Sequence, residues 1–378
     1  MPRVSPSSSS LSPKTLHFHA PPSCCSSSSF SSSLVNRKSS SSFLHVGILA
    51  LQGAFLDHLK AFKRLDLPSS YLQVSLVKTA SDLRGLDGLV IPGGESTAMR
   101  IIAGTELLGA LKDFVHRQKK PVWGTCAGCI LLSDRVCLRD AVEKEKKRRE
   151  LLSDSSSSLD TKEREKEEEE GDGYGEFIRG APVQTCRNYF GRQVDSFEAP
   201  LRCEGRLREM CEGMTAVCIR APAILQTLSD DAEVLGYIDL PERHERLIAA
   251  VGCVEKPLLL TTFHPELTDD SRLHAVFLLH FVLPHRSSSG IREDEEEEEE
   301  TNFLKSRLSS LILDKISEFT KKKEKEMMAT NRSSMKEATK EQEEEEREKT
   351  SSSSPPLVSH SRHVACHNYR HFKPRAGQ

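Results

Sequence analysis

The sequence has few of the residues that stack on nucleic-acid bases, and it carries almost no net charge. Trp occurs once and Tyr five times in 378 residues, and 53 basic residues are offset by 56 acidic ones. A nucleic-acid-binding domain usually combines a basic surface with aromatic side chains. We therefore expect no nucleic-acid partner.

Long apolar runs are also missing. No stretch reaches the roughly 18 consecutive apolar residues that a membrane-spanning helix requires. The eleven cysteines form no compact framework, and their odd number favours a reducing compartment over secretion. These features predict a soluble protein with no membrane partner, and a cytoplasmic location is the first expectation.

The N-terminal part of the chain lacks acidic residues. Residues 1–44 contain 18 serines, and the first carboxylate in the chain is that of Asp57. A segment of this composition cannot bury a core, and it is typical either of a disordered tail or of a transit peptide for a plastid or another organelle. Both interpretations stay open at this point.

Two further segments are too polar to form a core. Residues 140–175 mix both charges densely, which predicts an insertion in a surface loop. Residues 285–378 form an acidic and Lys/Glu/Ser-rich extension that we expect to be mostly disordered. Within it, five apolar residues share one helical face, and a solvated, marginal helix is favoured over a partner-binding one. They are Leu304, Leu308, Leu311, Ile312 and Phe319.

Residues 45–284, apart from the insertion, alternate short apolar runs with helical patterns. The runs at 46–51, 71–77, 88–91, 121–123, 216–219, 247–251 and 258–263 predict strands, and residues 54–65 predict an amphipathic helix. Strands that alternate with helices indicate an α/β fold. We expect a doubly wound, largely parallel open sheet with helices on both faces and a single catalytic domain.

The segment VWGTCAGCILL predicts a strand, a tight turn and a helix, with Cys126 at the turn. A nucleophile flanked by small residues at a strand-to-helix turn is exposed above its sheet, and a helix N-terminus favours the thiolate. Cys126 is therefore a candidate nucleophile. The competing interpretations are a buried structural cysteine and a redox pair with Cys129 in a C-x-x-C arrangement.

A thiol nucleophile needs a base and a group that orients the base. His264 and Glu266 follow the apolar run 258–263, at the end of a predicted strand. His264 is suited to accept the thiol proton and Glu266 to hold the imidazole, although a single His is often only structural. The PGGEST segment adds a glycine turn, and the backbone N–H groups of Gly94 and Ala127 are candidates for an oxyanion hole. A phosphate-binding loop is the other interpretation, but the Walker pattern is absent.

The strings PGGEST, GTCAG and FHPEL, in this order, resemble the triad-type (class I) glutamine amidotransferases. GILALQG, RNYFGRQVDSFE, IRAP and HPELT narrow the resemblance to the glutaminase subunits of pyridoxal 5′-phosphate synthase. The resemblance spans about residues 45–284 without the insertion. It implies a flavodoxin-like three-layer fold and a subunit that hydrolyses L-glutamine to L-glutamate and ammonia for a synthase subunit.

The resemblance also implies roles for individual residues. Cys126, His264 and Glu266 match the catalytic triad, with a glutamyl thioester on Cys126. Positions that match glutamine-binding residues are Gly94, Glu95, Ser96, Arg187, Ile219 and Arg220. No cofactor and no metal are expected. The alternatives are a glutaminase of another pathway, such as histidine or anthranilate synthesis, and a non-catalytic scaffold with the same fold.

Overall fold

The computed structural model describes residues 43–140, 142, 144, 177–191, 196–286 and 295–351. The predictions for the Ser-rich N-terminus, for most of the charged insertion and for the last part of the C-terminal extension lie outside these residues.

Five parallel strands form one half of the sheet, in the order β2-β1-β3-β4-β12. Their bounds are β1 Leu44–Leu49, β2 Leu72–Val77, β3 Gly88–Ile91, β4 Val122–Thr125 and β12 Leu258–Thr261. Strands β3, β4 and β12 are buried along their whole length, as is usual for a sheet covered on both faces. The strands predicted from short apolar runs are confirmed here.

The other half of the sheet is mainly antiparallel. From β12 the order continues through β11, β10, β7 and β8, while β9 pairs with β11 and β6, and β5 pairs in parallel with β6. The bounds are β5 Ser133–Leu138, β6 Ala181–Arg187, β7 Phe197–Cys203, β8 Thr215–Cys218, β9 Ala223–Thr227, β10 Ala232–Leu240 and β11 Glu245–Cys253. Short connections favour antiparallel pairing, since a parallel crossover needs a dozen or more residues. The α/β fold class is confirmed, with a more mixed sheet than expected.

Helices cover the sheet on two faces. They are α1 Phe55–Arg64, α2 Ser96–His116, α3 Ala127–Leu132, α4 Arg208–Cys211 and α5 Arg272–Val276, which continues as a π-helical turn over Phe277–Val282. Successive strand residues point to opposite faces. Accordingly, Val90 and Trp123 belong to one apolar cluster, whereas Leu89 and Val122 belong to the other. The domain is thus a doubly wound, three-layer structure.

Part of the C-terminal extension differs from the expectation of disorder, because Glu295–Ser351 form helix α6. Leu304, Leu308, Ile312 and Ile316 recur every four residues, and all four are buried. The last three join the apolar cluster that contains α5. From residue 321 to 329 the side chains are exposed. A four-residue apolar repeat is enough to dock the first half of a charged helix on the domain.

No helix in the described segments combines the length and the apolar character that crossing a bilayer requires.

Candidate active site

The predicted site residues meet at one edge of the sheet. Strands β1, β3, β4 and β12 run parallel, so the turns after their carboxyl ends lie side by side. Two of these turns are joined directly. The amide of Ala54 donates to the carbonyl of Gly93 over 3.0 Å, and the amide of Glu95 donates to Oε1 of Gln52 over 2.8 Å.

Cys126 occupies the turn between β4 and α3 in a strained conformation. Its φ is 47° and its ψ is −100°, a region that non-glycine residues rarely adopt. The turn is held by the amide of Cys126, which donates to the carbonyl of Thr261 over 2.8 Å. It is also tight, because a Cβ on Gly128 would collide with the carbonyl oxygen of Ile91. These features match a nucleophile elbow.

His264 lies against Cys126, and Glu266 lies behind His264. Nδ1 of His264 is 2.8 Å from Oε1 of Glu266, and the two side chains are 10% and 0% exposed. The backbone fixes the base as well, since the amide of His264 donates to the carbonyl of Val217 over 2.8 Å. Only a glycine fits at Gly93, where a Cβ would collide with the His264 ring. The three residues are therefore arranged as nucleophile, base and orienting carboxylate.

The electrostatics of this group favour charge separation. Burial works against a charged His264, yet Cys126 and Glu266 together raise the pKa of His264 well above its ordinary value. Burial alone would raise the pKa of Glu266, but His58 and His264 bring it below its ordinary value. A protonated imidazole between a thiol sulfur and an ionised carboxylate is the state that these shifts support.

Sequence reasoning missed a second layer of buried polar groups behind the triad. His58 of α1 places Nε2 at 3.4 Å from Oε2 of Glu266 and at 3.2 Å from Oγ1 of Thr125. Its Nδ1 lies 3.0 Å from Nε2 of His274 in α5. One signal was available, because His58 shares the apolar helical face of Phe55 and Phe62. A histidine at such a position must find polar partners inside the protein.

A cavity of about 320 Å³ opens in front of Cys126. Eight of the predicted site residues line it, namely Gly94, Glu95, Ser96, Cys126, Arg187, Ile219, Arg220 and His264. Glu266 is buried behind His264, and Ala127 is buried as the first residue of α3. A second cavity, of about 560 Å³, lies among residues 202–212, Tyr237 and Arg246 and contains no triad residue. The first cavity is the smaller of the two, and it is identified as the site because Cys126 and His264 line it.

One wall of this cavity is organised around the carboxylate of Glu95. This side chain caps α2 by accepting from the amides of Thr97 at 3.1 Å and Ala98 at 2.6 Å. Nη2 of Arg187 lies 3.3 Å from Oε1 of Glu95 and donates to Oγ1 of Thr97 over 3.2 Å. Although burial opposes it, the two amides and Arg187 lower the pKa of Glu95. Arg187 is thereby held at the cavity by contacts with Glu95 and Thr97 of the protein itself.

Other residues of the cavity wall provide a hydroxyl without a partner among the described residues and two positions with strained backbone. Ser96 is 2% exposed, and its Oγ has no hydrogen-bond partner among the described residues. Asn188 and Arg220 both adopt positive φ, at 51° and 48°. Strained residues persist where the surrounding structure fixes them, and they cluster at ligand sites. The cavity wall thus combines one buried hydroxyl without a partner among the described residues with two residues of positive φ.

Cys129, the second cysteine of the C-x-x-C segment, is fully buried beneath the turn. Burial raises the pKa of its thiol to about 12, so it remains protonated. This environment is typical of a small apolar core residue, and a redox role for the pair stays a prediction. Within the described ranges, no group of three or more His, Cys, Asp or Glu side chains is placed to hold a metal ion.

Comparisons with known proteins find relatives that this chain resembles over most of their length. Pyridoxal 5′-phosphate synthase subunit PDX2 of Plasmodium falciparum is 37% identical over 243 residues, which cover 64% of this chain and 95% of the relative. Pyridoxal 5′-phosphate synthase subunit SNO1 of Saccharomyces cerevisiae is 35% identical over 250 residues, covering 65% and 96%. A crystal structure titled glutamine amidotransferase is 32% identical, covers 62% of this chain and 96% of its own, and has a TM-score of 0.44.

A family model matches the chain over residues 48–153 and 176–283. The residues left out between these two segments are part of the charged insertion that the sequence predicted. The match extends over more than half of the 378 residues and includes Cys126, His264 and Glu266. This protein belongs to the SNO glutamine amidotransferase family.

Proposed function

We propose that the protein hydrolyses L-glutamine to L-glutamate and ammonia, and that it supplies the ammonia to the synthase subunit of a pyridoxal 5′-phosphate synthase. One observation supports the reaction above all others. Cys126, His264 and Glu266 are aligned, with Cys126 and His264 lining a cavity of about 320 Å³ and the carboxylate of Glu266 2.8 Å behind the imidazole. Family membership supports the same substrate.

In the first half-reaction, His264 takes the thiol proton of Cys126, and the sulfur attacks the side-chain amide carbon of glutamine. The carbonyl electrons move to oxygen, and the N–H groups of Gly94 and Ala127 are the proposed donors to that oxyanion. The carbonyl of Gly93 is turned toward Ala54, so the N–H of Gly94 points away from Ala54 across the same peptide plane. When the carbonyl re-forms, His264 protonates the leaving nitrogen. Ammonia departs and a glutamyl thioester remains on Cys126.

In the second half-reaction, water attacks the thioester carbon while His264 removes a proton from the water. The tetrahedral intermediate collapses, the C–S bond breaks, and the sulfur leaves and recovers a proton from His264. Glutamate and the free thiol are the products. Glu266 keeps Nδ1 of His264 oriented in both halves, so that the other ring nitrogen faces the reacting atoms.

The α-carboxylate and α-ammonium of glutamine need charged or polar partners in the cavity. Arg187 and Arg220 both line it, and a guanidinium can bind a carboxylate through two parallel hydrogen bonds. The buried hydroxyl of Ser96 and the carboxylate of Glu95 are further polar contacts. We propose that these groups, with Gly94 and Ile219, hold the amino-acid end of glutamine.

The proposed partner is the synthase subunit. The relatives from Plasmodium falciparum and Saccharomyces cerevisiae are both named as subunits of pyridoxal 5′-phosphate synthase, and this chain covers nearly all of each. We propose a cytoplasmic complex, or an organellar one if residues 1–44 direct import. Expression of residues 1–44 fused to a fluorescent protein distinguishes the two locations.

The direct test is glutamate release from L-glutamine by the purified chain, with and without the synthase subunit from the same organism. Release that depends on the synthase subunit supports both reaction and pathway. Glutamate release that is stimulated only by a synthase subunit of histidine or anthranilate synthesis favours a glutaminase of that pathway. Binding to the synthase without any turnover, with the thiol of Cys126 confirmed as reduced, supports the scaffold instead.

A further inference from the structure

The carboxylate of Glu266 has two buried oxygens, and the triad accounts for only one of them. Oε1 faces Nδ1 of His264 at 2.8 Å. Oε2 has no conventional hydrogen bond within the described residues, and Nε2 of His58 lies 3.4 Å from it. A buried carboxylate oxygen without a donor is costly, so the nearby ring N–H of His58 has a clear role there. Bonds of this kind are often long before substrate binds and shorten afterwards.

Donation from Nε2 of His58 to Glu266 requires one arrangement of the protons on His58 and His274. For Nε2 to donate toward Glu266, Nδ1 of His58 must accept a hydrogen bond. His274 provides the donor, since its Nε2 lies 3.0 Å from that atom. Nδ1 of His274 is then a bare acceptor, and it is indeed one of the buried atoms without a partner in the described part of the chain. The N–H of His58 is shared with Oγ1 of Thr125 at 3.2 Å.

Burial keeps both rings neutral at neutral pH. Burial lowers the pKa of His58 despite the carboxylates of Glu266 and Asp57 nearby. Burial, assisted by His58 and Arg64, lowers the pKa of His274 well below its ordinary value. Each neutral ring carries one N–H. In this arrangement the N–H of His274 donates to His58 and the N–H of His58 donates to Glu266.

We propose that His58 is a positioning residue for the triad: its Nε2–H, fixed by His274, holds Oε2 of Glu266 so that Oε1 remains on Nδ1 of His264. His58 does not line the cavity and touches no substrate. No proton is transferred through it. The proposal rests on the glutaminase function described above, and it adds α1 to the elements that the reaction requires.

The first test is His58→Leu in the full chain, assayed for glutamate release in the presence of the synthase subunit. We expect kcat to fall by about 10- to 100-fold, part of the 10²- to 10⁴-fold that a positioned acid–base group contributes. KM should change by less than about threefold, because the cavity is intact. Leu308→Ala is the control, since this side chain is also 0% exposed and does not line the cavity.

A second pair of variants decides the outcome if His58→Leu does not fold. The amide nitrogen of Gln can occupy the place of Nε2, whereas Asn is too short to reach Glu266. We therefore expect His58→Gln to retain a kcat at least about tenfold above that of His58→Asn. Equal kcat values for the two variants would overturn the proposal.

The failure of this proposal is separable from failure of the proposed function. If the wild-type complex releases no glutamate, the glutaminase function itself is wrong. If the wild type is active, a folded His58→Leu with wild-type kcat overturns only the role of His58. A loss of kcat no larger than that of Leu308→Ala at matched Tm would also overturn it, because the effect would then be one of stability.

Discussion

Oε1 of Glu95 lies 3.1 Å from the amide of Thr97 and 3.3 Å from Nη2 of Arg187. The same carboxylate therefore caps helix α2 and holds a cationic side chain at the cavity. With Arg187 proposed to bind the carboxylate of glutamine, we expect two measurable properties to depend on Glu95, namely the stability of the domain and its affinity for glutamine.

Glu95→Ala should affect both properties. Loss of the cap lowers the free energy of unfolding by about 0.5–2 kcal/mol, and the released Arg187 raises KM for glutamine. Urea unfolding and steady-state kinetics measure the two effects. Asp82→Ala is a matched control, because Asp82 caps the turn at Ala80–Leu83 and does not line the cavity. It should lower stability and leave KM unchanged; an increase in KM for the control as large as that for Glu95→Ala would contradict the role of Glu95.

Replacing the nucleophile should remove turnover. We expect Cys126→Ala to release no glutamate above background in the presence of the synthase subunit, while it still co-elutes with that subunit in size-exclusion chromatography. Cys129→Ala serves as the comparison, since this thiol is buried and remains protonated. It should keep kcat within a few-fold of wild type. Turnover by Cys126→Ala near the wild-type rate would remove Cys126 from the nucleophile role.

The lowered pKa of Glu266 and the raised pKa of His264 make stability depend on pH in opposite directions. An ionised Glu266 stabilises the fold above its unfolded pKa of about 4.5, and this contribution disappears as the pH falls through the lower folded value. A protonated His264 contributes fully below about pH 6.5, and its contribution disappears as the pH rises through the higher folded value.

Glu266→Gln tests the acidic side of this dependence. The variant should be less stable than wild type at pH 6.5, and the difference should narrow as the pH is lowered below about 4.5. Urea unfolding at several pH values measures it. A difference that stays constant from pH 6.5 to 3.5 would contradict the lowered pKa of Glu266 in the folded protein.

The first half of α6 should behave as part of the domain. Leu308→Ala removes a side chain that is 0% exposed, and we expect a loss of about 2–5 kcal/mol in the free energy of unfolding. Leu313→Ala, on a residue that is 49% exposed in the same helix, should stay within about 0.5 kcal/mol of wild type. Equal effects from both variants would mean that α6 does not dock in solution.

The sequence predicted those parts of the fold in which a strand is short, apolar and soon followed by glycine. The run at 88–91 predicted β3 with its observed bounds, and residues 54–65 predicted α1 to within one residue at each end. The antiparallel half of the sheet was harder. Strand β7 alternates exposed with buried residues, β10 mixes buried with partly exposed ones, and neither is the continuous apolar run that marks a fully buried strand.

Local sequence predicted the candidate triad residues, because a thiol between glycines at a strand-to-helix turn and a His-x-Glu pair after a strand are both local patterns. It also determined the turns at Gly93 and Gly128, where any Cβ would collide with a neighbour. Only the tertiary structure brought His58 and His274, 216 positions apart, within 3.0 Å of each other behind Glu266. Their role depends on burial and on the donors and acceptors around them, and those are set by the packing of α1 and α5 rather than by neighbours in the chain.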